Sequence, residues 1–185
     1  MSKVLVPLAQ GCEELEAVTI IDLLRRAGIE VVSAGLDGQP VRASRGTVLI
    51  PDTDLDTALK DDYDMVVLPG GLPGSDHLNE DARIQKLLRT MADGEKFTAA
   101  ICAAPKVLAS AGLLDGKQAT AFPGVLERSD QTSFTLSDDP VVRDGKVLTS
   151  RGPGTAMDFA LTLIECLEGI DKRNDVEATL QRPAH

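Results

Sequence analysis

The chain of 185 residues has no tryptophan, one tyrosine, two histidines and three cysteines. So few histidines argue against a histidine-based metal site. His77 is expected on the surface of its loop, and His185 is the terminal residue, where order is weakest. Cys12, Cys102 and Cys166 form no C-x-x-C pair, and an odd number is a poor start for a disulfide framework. No apolar run approaches the length of a membrane-spanning helix. The amino-terminal "MSKVLVPLAQGCEE" enters a strand-like run without signal-peptide architecture, so a cytoplasmic protein is expected. Basic residues are in deficit, 19 Lys and Arg against 29 Asp and Glu, for a net charge of −10. That balance disfavours nucleic-acid binding, which needs cations to neutralise phosphates. The acids are spread along the chain, as suits solubility. Neither a repeat nor a linker interrupts the sequence, and its length fits a single domain over 1–185.

What is present is an alternation of strand and helix. "KVLVPLA" (3–9) reads as a buried strand, and 12–28 as a helix with Leu15, Val18, Ile21 and Leu24 at helical spacing. Arg25 and Arg26 suit its last turn, and Gly28 can stop it. Further strands are predicted at 30–36, 64–71 and 97–101, and helices near 80–93, over 103–112 and over 155–169. "VVRDGKVLTS" (141–150) reads as a hairpin turning at Asp144–Gly145. Apolar strands alternating with helices predict a mainly parallel sheet covered on both faces. In such folds sites form beyond the carboxyl ends of strands. Four stretches qualify: "AQGCEELE", "LPGGLPGSDH", "AICAAP" and "TSRGPGT".

The third carries Cys102. "FTAAI" runs directly into the cysteine and "AAPKVLASAG", so the chain must turn sharply there, as at a nucleophile elbow with alanines in place of glycines. A sulfur at a helix amino terminus would have a lowered pKa. The competing reading is a small buried core residue. Three acids, Glu13, Glu14 and Glu16, open the first helix, where the helix dipole favours negative charge. Glu16 is flanked by Leu15 and Ala17–Val18, so it can face inward, where a carboxyl would hold its proton. Gly70, Gly71 and Gly74 lack the P-loop or dinucleotide spelling, leaving a plain turn or an oxyanion-binding turn. Cys12 and Cys166 are expected to pack structurally, with Cys12 as a second reactive thiol the lesser alternative.

Together "EELEAV", "VVLPGG", "AAICAAP" and "LTSRGPGT" resemble the ThiJ/PfpI family, in the branch of the parkinsonism-associated deglycase (DJ-one) and YajL. The likeness spans nearly the whole chain, including "RRAGIEVVSAGL" and "SRGTVLIPD". It implies a flavodoxin-like, doubly wound, mostly parallel sheet sandwiched by helices, related to class I glutamine amidotransferases, and a homodimer. It further implies that Cys102 is the reactive cysteine and Glu16 the protonated carboxyl beside it. Gly70, Gly71 and the Ala103 N–H would form an oxyanion site. Arg45 would lie near the pocket and the dimer interface, and Pro153 would line the pocket. Phe122 stands where a better-known member has histidine, so no Cys–His dyad is expected.

The resemblance implies a cofactor-free, metal-free enzyme for carbonyl stress, without membrane or nucleic-acid partners. It would be a glyoxalase III-type lyase or protein deglycase acting on methylglyoxal, glyoxal or their early adducts. The alternative is a thiol redox sensor or oxidative-stress chaperone in which Cys102 oxidises to sulfinate.

Overall fold

The computed structural model describes residues 1–130 and 133–183; His185 lies outside them. Its strands are β1 (Lys3–Leu8), β2 (Glu30–Gly35), β3 (Val41–Arg42), β4 (Val48–Leu49), β5 (Thr53–Asp54) and β6 (Met65–Leu68), followed by β7 (Phe97–Ile101), β8 (Gln118–Ala119), β9 (Thr135–Leu136), β10 (Val141–Asp144) and β11 (Val147–Ser150). Seven form one sheet in the order β10-β11-β7-β6-β1-β2-β5. Every pairing in it is parallel except β10 with β11. The helices are α1 (Glu14–Arg26), α2 (Leu55–Ala58), α3 (Gly74–Glu80), α4 (Ala82–Asp93), α5 (Pro105–Ser110), α6 (Ala156–Glu168) and α7 (Ile170–Thr179).

Alternate strand residues face opposite ways, and the core divides accordingly. Val4 and Val6 join Ile20, Leu24, Phe159 and Leu163 beneath α1 and α6. Leu5 and Val66 join Leu55, Leu78, Leu88 and Leu108 beneath α2 to α5. This is the flavodoxin-like sandwich, a parallel sheet with both faces covered. The chain places β2 on one side of β1 and then returns to lay β6 on the other. That reversal opens the crevice typical of such sheets at the carboxyl ends of β1 and β6.

Several predicted elements need correction. The buried face of α1 is Glu16, Ala17, Ile20, Leu23 and Leu24, whereas Leu15 and Val18 of the predicted apolar row are about half exposed. The helix predicted at 103–112 spans only α5, because Pro105 occupies its first position and cannot sit deeper in a helix. The predicted 141–150 hairpin forms, but Asp144 pairs with Val147, so Gly145 and Lys146 make the turn. Gly145 takes the positive φ of 63° that such a turn requires of its first residue. Helices α3 and α7 were not predicted: each buries few apolar side chains, Leu78 in one and Val176 in the other.

Candidate active site

Strands β11, β7, β6 and β1 are consecutive neighbours running the same way, so their carboxyl ends emerge together. All four stretches singled out above follow those strands. The loop after β1 and the loop after β6 are joined by main-chain bonds. The Glu13 N–H donates to the Gly70 carbonyl at 2.9 Å, and the Gly74 N–H to that of Gly11 at 3.3 Å.

Cys102 follows β7 with φ at 64°, the left-handed region that costs a non-glycine residue about 1–2 kcal/mol. Two distant segments hold it there. Its N–H donates to the Ser150 carbonyl at 2.9 Å, and its own carbonyl accepts from the Phe122 N–H at 2.9 Å. The turn aims the side chain back toward the β6 loop, as an elbow does.

Glu16 reaches the same point from α1 and is wholly buried. Its Oε2 accepts from the Gly70 N–H at 2.8 Å. Oε1 is buried without a conventional hydrogen-bond partner among the described residues. Burial raises the Glu16 pKa to about 7, against the Gly70 N–H and the Cys102 thiol, which favour the charged form. Burial and the adjoining Glu16 carboxylate push the Cys102 thiol up to about 12, while the N–H groups of Gly71 and Ala103 act the other way. The two groups therefore resist being ionised at the same time. The lowered thiol pKa expected from a helix amino terminus is not what the structure shows. Cys102 precedes a short α5 by three residues, and burial outweighs the dipole there.

Gly70 has no room for a side chain: a Cβ would lie 2.6 Å from Cys102 Cβ and 2.8 Å from Glu16 Oε2. Its N–H serves Glu16, while the Gly71 and Ala103 N–H groups act on the sulfur. Gly71 has φ of 89°, and a Cβ there would lie 2.4 Å from the Glu13 nitrogen.

Arg45 is placed at the rim. Its N–H donates to both Glu14 oxygens, at 3.0 and 3.1 Å. Its side chain is 80% exposed, with Nε 4.0 Å from Glu13 Oε2. The Ser44 hydroxyl, which the sequence did not single out, donates to that same oxygen at 2.8 Å. The Phe122 ring is half exposed and lies over Gly152. Pro153 opens the 3-10 turn that follows, in which Thr155 Oγ1 sits 2.6 Å from Ser150 Oγ. His77 is elsewhere, lining a cleft with Asp37, Glu80 and Asp81. Among the described residues no cluster of His, Cys, Asp or Glu could hold a metal ion. None of their helices is long and apolar enough to cross a membrane.

A cysteine at positive φ thus faces a buried carboxyl across Gly70. The DJ-1/PfpI family model matches residues 2–166. The chain belongs to the DJ-1/PfpI family. It is 46% identical over 178 residues to Protein dj-1beta of Drosophila melanogaster, covering 95% of both chains. The crystal structure of Drosophila melanogaster DJ-1beta superposes with a TM-score of 0.94, covering 100% of both chains. The glutathione-independent glyoxalase DJR-1.2 of Caenorhabditis elegans is 35% identical, covering 90% of this chain and 89% of the relative. An oxidised structure of Toxoplasma gondii DJ-1 matches at 39% identity with a TM-score of 0.93, again over 100% of both chains. The DJ-1/PfpI fold and family are thus those of this protein, with a glyoxalase among its relatives.

Proposed function

We propose that the protein is a cofactor-independent glyoxalase of the cytoplasm that converts methylglyoxal and glyoxal to hydroxyacids through Cys102, with Glu16 moving the protons. The observation that carries this reading is the buried Glu16 carboxyl, held by Gly70, with a pKa of about 7 beside the thiol. A carboxyl poised at neutral pH both gives and takes protons.

In the first step Cys102 Sγ bonds to the aldehyde carbon while the thiol proton passes through the Glu16 carboxylate to the aldehyde oxygen, giving a hemithioacetal. The Gly71 and Ala103 N–H groups stabilise the charge that develops. Glu16, now a carboxylate, removes the hydrogen from that carbon as a proton and returns it to the neighbouring carbon. The hydroxyl proton passes to the former ketone oxygen. Two hydrogens have moved from one carbon unit to the next, and the aldehyde carbon has become a thioester without an external oxidant. Water then cleaves the carbon–sulfur bond, releasing lactate, or glycolate from glyoxal, and the free thiol. On an early protein adduct the Cys102 sulfur would displace the amine, the carbon–nitrogen bond breaking as the amine takes the thiol proton through Glu16, and the later steps would then amount to deglycase activity. The test is methylglyoxal consumption without glutathione, with lactate measured as product. Turnover no faster than that of Cys102→Ala protein would refute the reading.

The oxidised state of the Toxoplasma gondii relative favours a second reading, peroxide sensing at the same thiol. Gly71 and Ala103 would steady a sulfinate as they would an oxyanion. Mild peroxide followed by mass spectrometry tests it: the sensor requires a dominant two-oxygen product at Cys102, with Cys12 and Cys166 unmodified.

A homodimer also belongs to this proposal. Leu15 and Val18 on α1, with Val48 in β4 and Ile50 just after it, leave apolar side chains in water, Ile50 at 83% exposure. Sedimentation of wild-type and Val18→Asp protein tests it: dimer for the first and monomer for the second.

A further inference from the structure

Two large apolar side chains lie in water beside the groups that touch Cys102. Leu72 is 62% exposed and follows Gly71, whose N–H acts on the Cys102 sulfur. Phe122 is 50% exposed, and its N–H donates to the Cys102 carbonyl at 2.9 Å. The two come from opposite sides of the elbow. In the sheet β7 lies between β6 and β11. Leu72 belongs to the loop after β6, whereas the Phe122 ring rests on Gly152, just after β11, with Cδ2 3.4 Å from where a Cβ there would stand. Single apolar residues on a surface need no explanation, but a pair flanking a nucleophile does.

The cations bordering the same segments are already matched. Lys106, four residues beyond Cys102, pairs with Asp76. The Arg151 guanidinium, beside Gly152, reaches Asp138 Oδ1 at 2.8 Å. Neither is left to recruit an anionic substituent. The polar groups that act on the sulfur are Glu16 and the N–H groups of Gly71 and Ala103, and the chemistry itself uses them. What remains for the rest of a substrate is apolar surface.

We infer that Leu72 and Phe122 form an apolar slot that selects 2-oxoaldehydes with a branched or aromatic substituent over glyoxal and methylglyoxal. The inference rests on the glyoxalase reading above and names the substrate class of that site.

Once the aldehyde carbon is bonded to Sγ, the substituent on the ketone carbon must extend outward. Glu16 is wholly buried on the inner side, and Gly70 leaves no space there for even a Cβ. The outward path runs between Leu72 and Phe122. An aromatic substituent would pack against the Phe122 ring, and both apolar surfaces would leave water. The substituent takes no part in bond making, so its contacts are the same before and during the chemistry. They therefore act on KM rather than on kcat.

The experiment is initial-rate kinetics of the full-length protein without glutathione on glyoxal, methylglyoxal, cyclohexylglyoxal and phenylglyoxal, with the hydroxyacids quantified. KM for the two bulky aldehydes should lie about tenfold below that for methylglyoxal. Leu72→Asn and Phe122→Asn should each raise those two KM values about tenfold, with the change in KM rather than kcat. Comparing KM ratios between proteins cancels each aldehyde's own hydration and reactivity. Phe122→Leu keeps the wall apolar and should retain the cyclohexylglyoxal preference, which separates loss of the slot from loss of the fold. A preference that survives in both asparagine variants, or that is lost in Phe122→Leu, would overturn the slot. Methylglyoxal turnover with no lower KM for the bulky aldehydes would overturn the slot and leave the glyoxalase reading standing. Turnover of none of the four would refute that reading and this inference with it.

Discussion

Cys12 and Cys102 are both buried, at 1% and 9% exposure, and both thiols are pushed up to about 12. By burial and pKa alone they are the same residue. What differs is the source of the push and what opposes it. Cys12 is raised by burial and by the negative charges of Glu14, Glu13 and, least of the three, Glu16, with only its own N–H opposing. Cys102 is raised by burial and by Glu16, a carboxyl that itself titrates near neutrality, with Gly71 and Ala103 opposing. Once Glu16 holds its proton, its charge no longer acts against the thiolate, and the two N–H groups remain. Cys102 also carries the positive φ, which Cys12 lacks. The thiol proposed to react is distinguished by a carboxyl in direct contact that can change charge, not by its own exposure.

The sharpest break of that contrast is removal of each sulfur. Cys102→Ala should reduce methylglyoxal turnover to background, while Cys12→Ala keeps it; equal losses, read by dicarbonyl consumption, would erase the distinction. Next comes the neighbour. Glu16→Gln keeps a hydrogen-bond donor but cannot relay a proton, so turnover should fall by about 10²–10⁴-fold. Alkylation of Cys102 by iodoacetamide, followed by mass spectrometry, should persist in that variant.

A third substitution tests the space between them. Gly70→Ala should cost about 1–3 kcal/mol of stability and most of the turnover, since its Cβ would collide with Cys102, Glu16 and the Ile101 carbonyl. Gly154→Ala, with nothing within 4 Å, should leave urea denaturation unchanged.

A comparable effect on stability is expected in pH. Below its ordinary pKa of 4.5, Glu16 is protonated in folded and unfolded chains alike. As pH rises from there to about 7, the unfolded chain releases a proton that the folded chain keeps, so stability falls through this window. The loss is complete above it and amounts to about 3 kcal/mol. Urea denaturation across the window should show wild type losing this much relative to Glu16→Gln; parallel curves would contradict a buried, raised Glu16.

How much of this was legible depended on side chains more than on backbone. "FTAAICAAP" announced the turn at Cys102, because no residues were left over for a loop. Glu16 was legible only as an acid among apolar neighbours. The apolar row chosen for α1 was offset, and aligning Ala17, Ile20 and Leu23 instead would have put Glu16 on the buried face directly. The four strand ends were found because parallel strands declare themselves by long apolar runs. The family resemblance implied Gly70, Gly71 and Ala103 as a set of main-chain donors, but their division of labour was not legible in the residues. Which glycine N–H serves Glu16 and which serves the sulfur depends on how two loops lie against each other, and that leaves no mark on composition or period. The thiol pKa escapes the sequence for a related reason: sequence shows a helix start but not how deeply a residue is covered.

The two main-chain bonds at Cys102 tie its conformation to segments far along the chain, at Phe122 and Ser150. A ribosome-bound fragment ending before Ser150 would contain every side chain proposed for the chemistry and still lack the means to hold the strained turn. If Cys102 reacts as proposed, thiol reactivity of the mature kind would be a late property of synthesis, acquired when β11 docks beside β7. A thiol-selective probe applied during translation would read completion of the sheet rather than the presence of the cysteine.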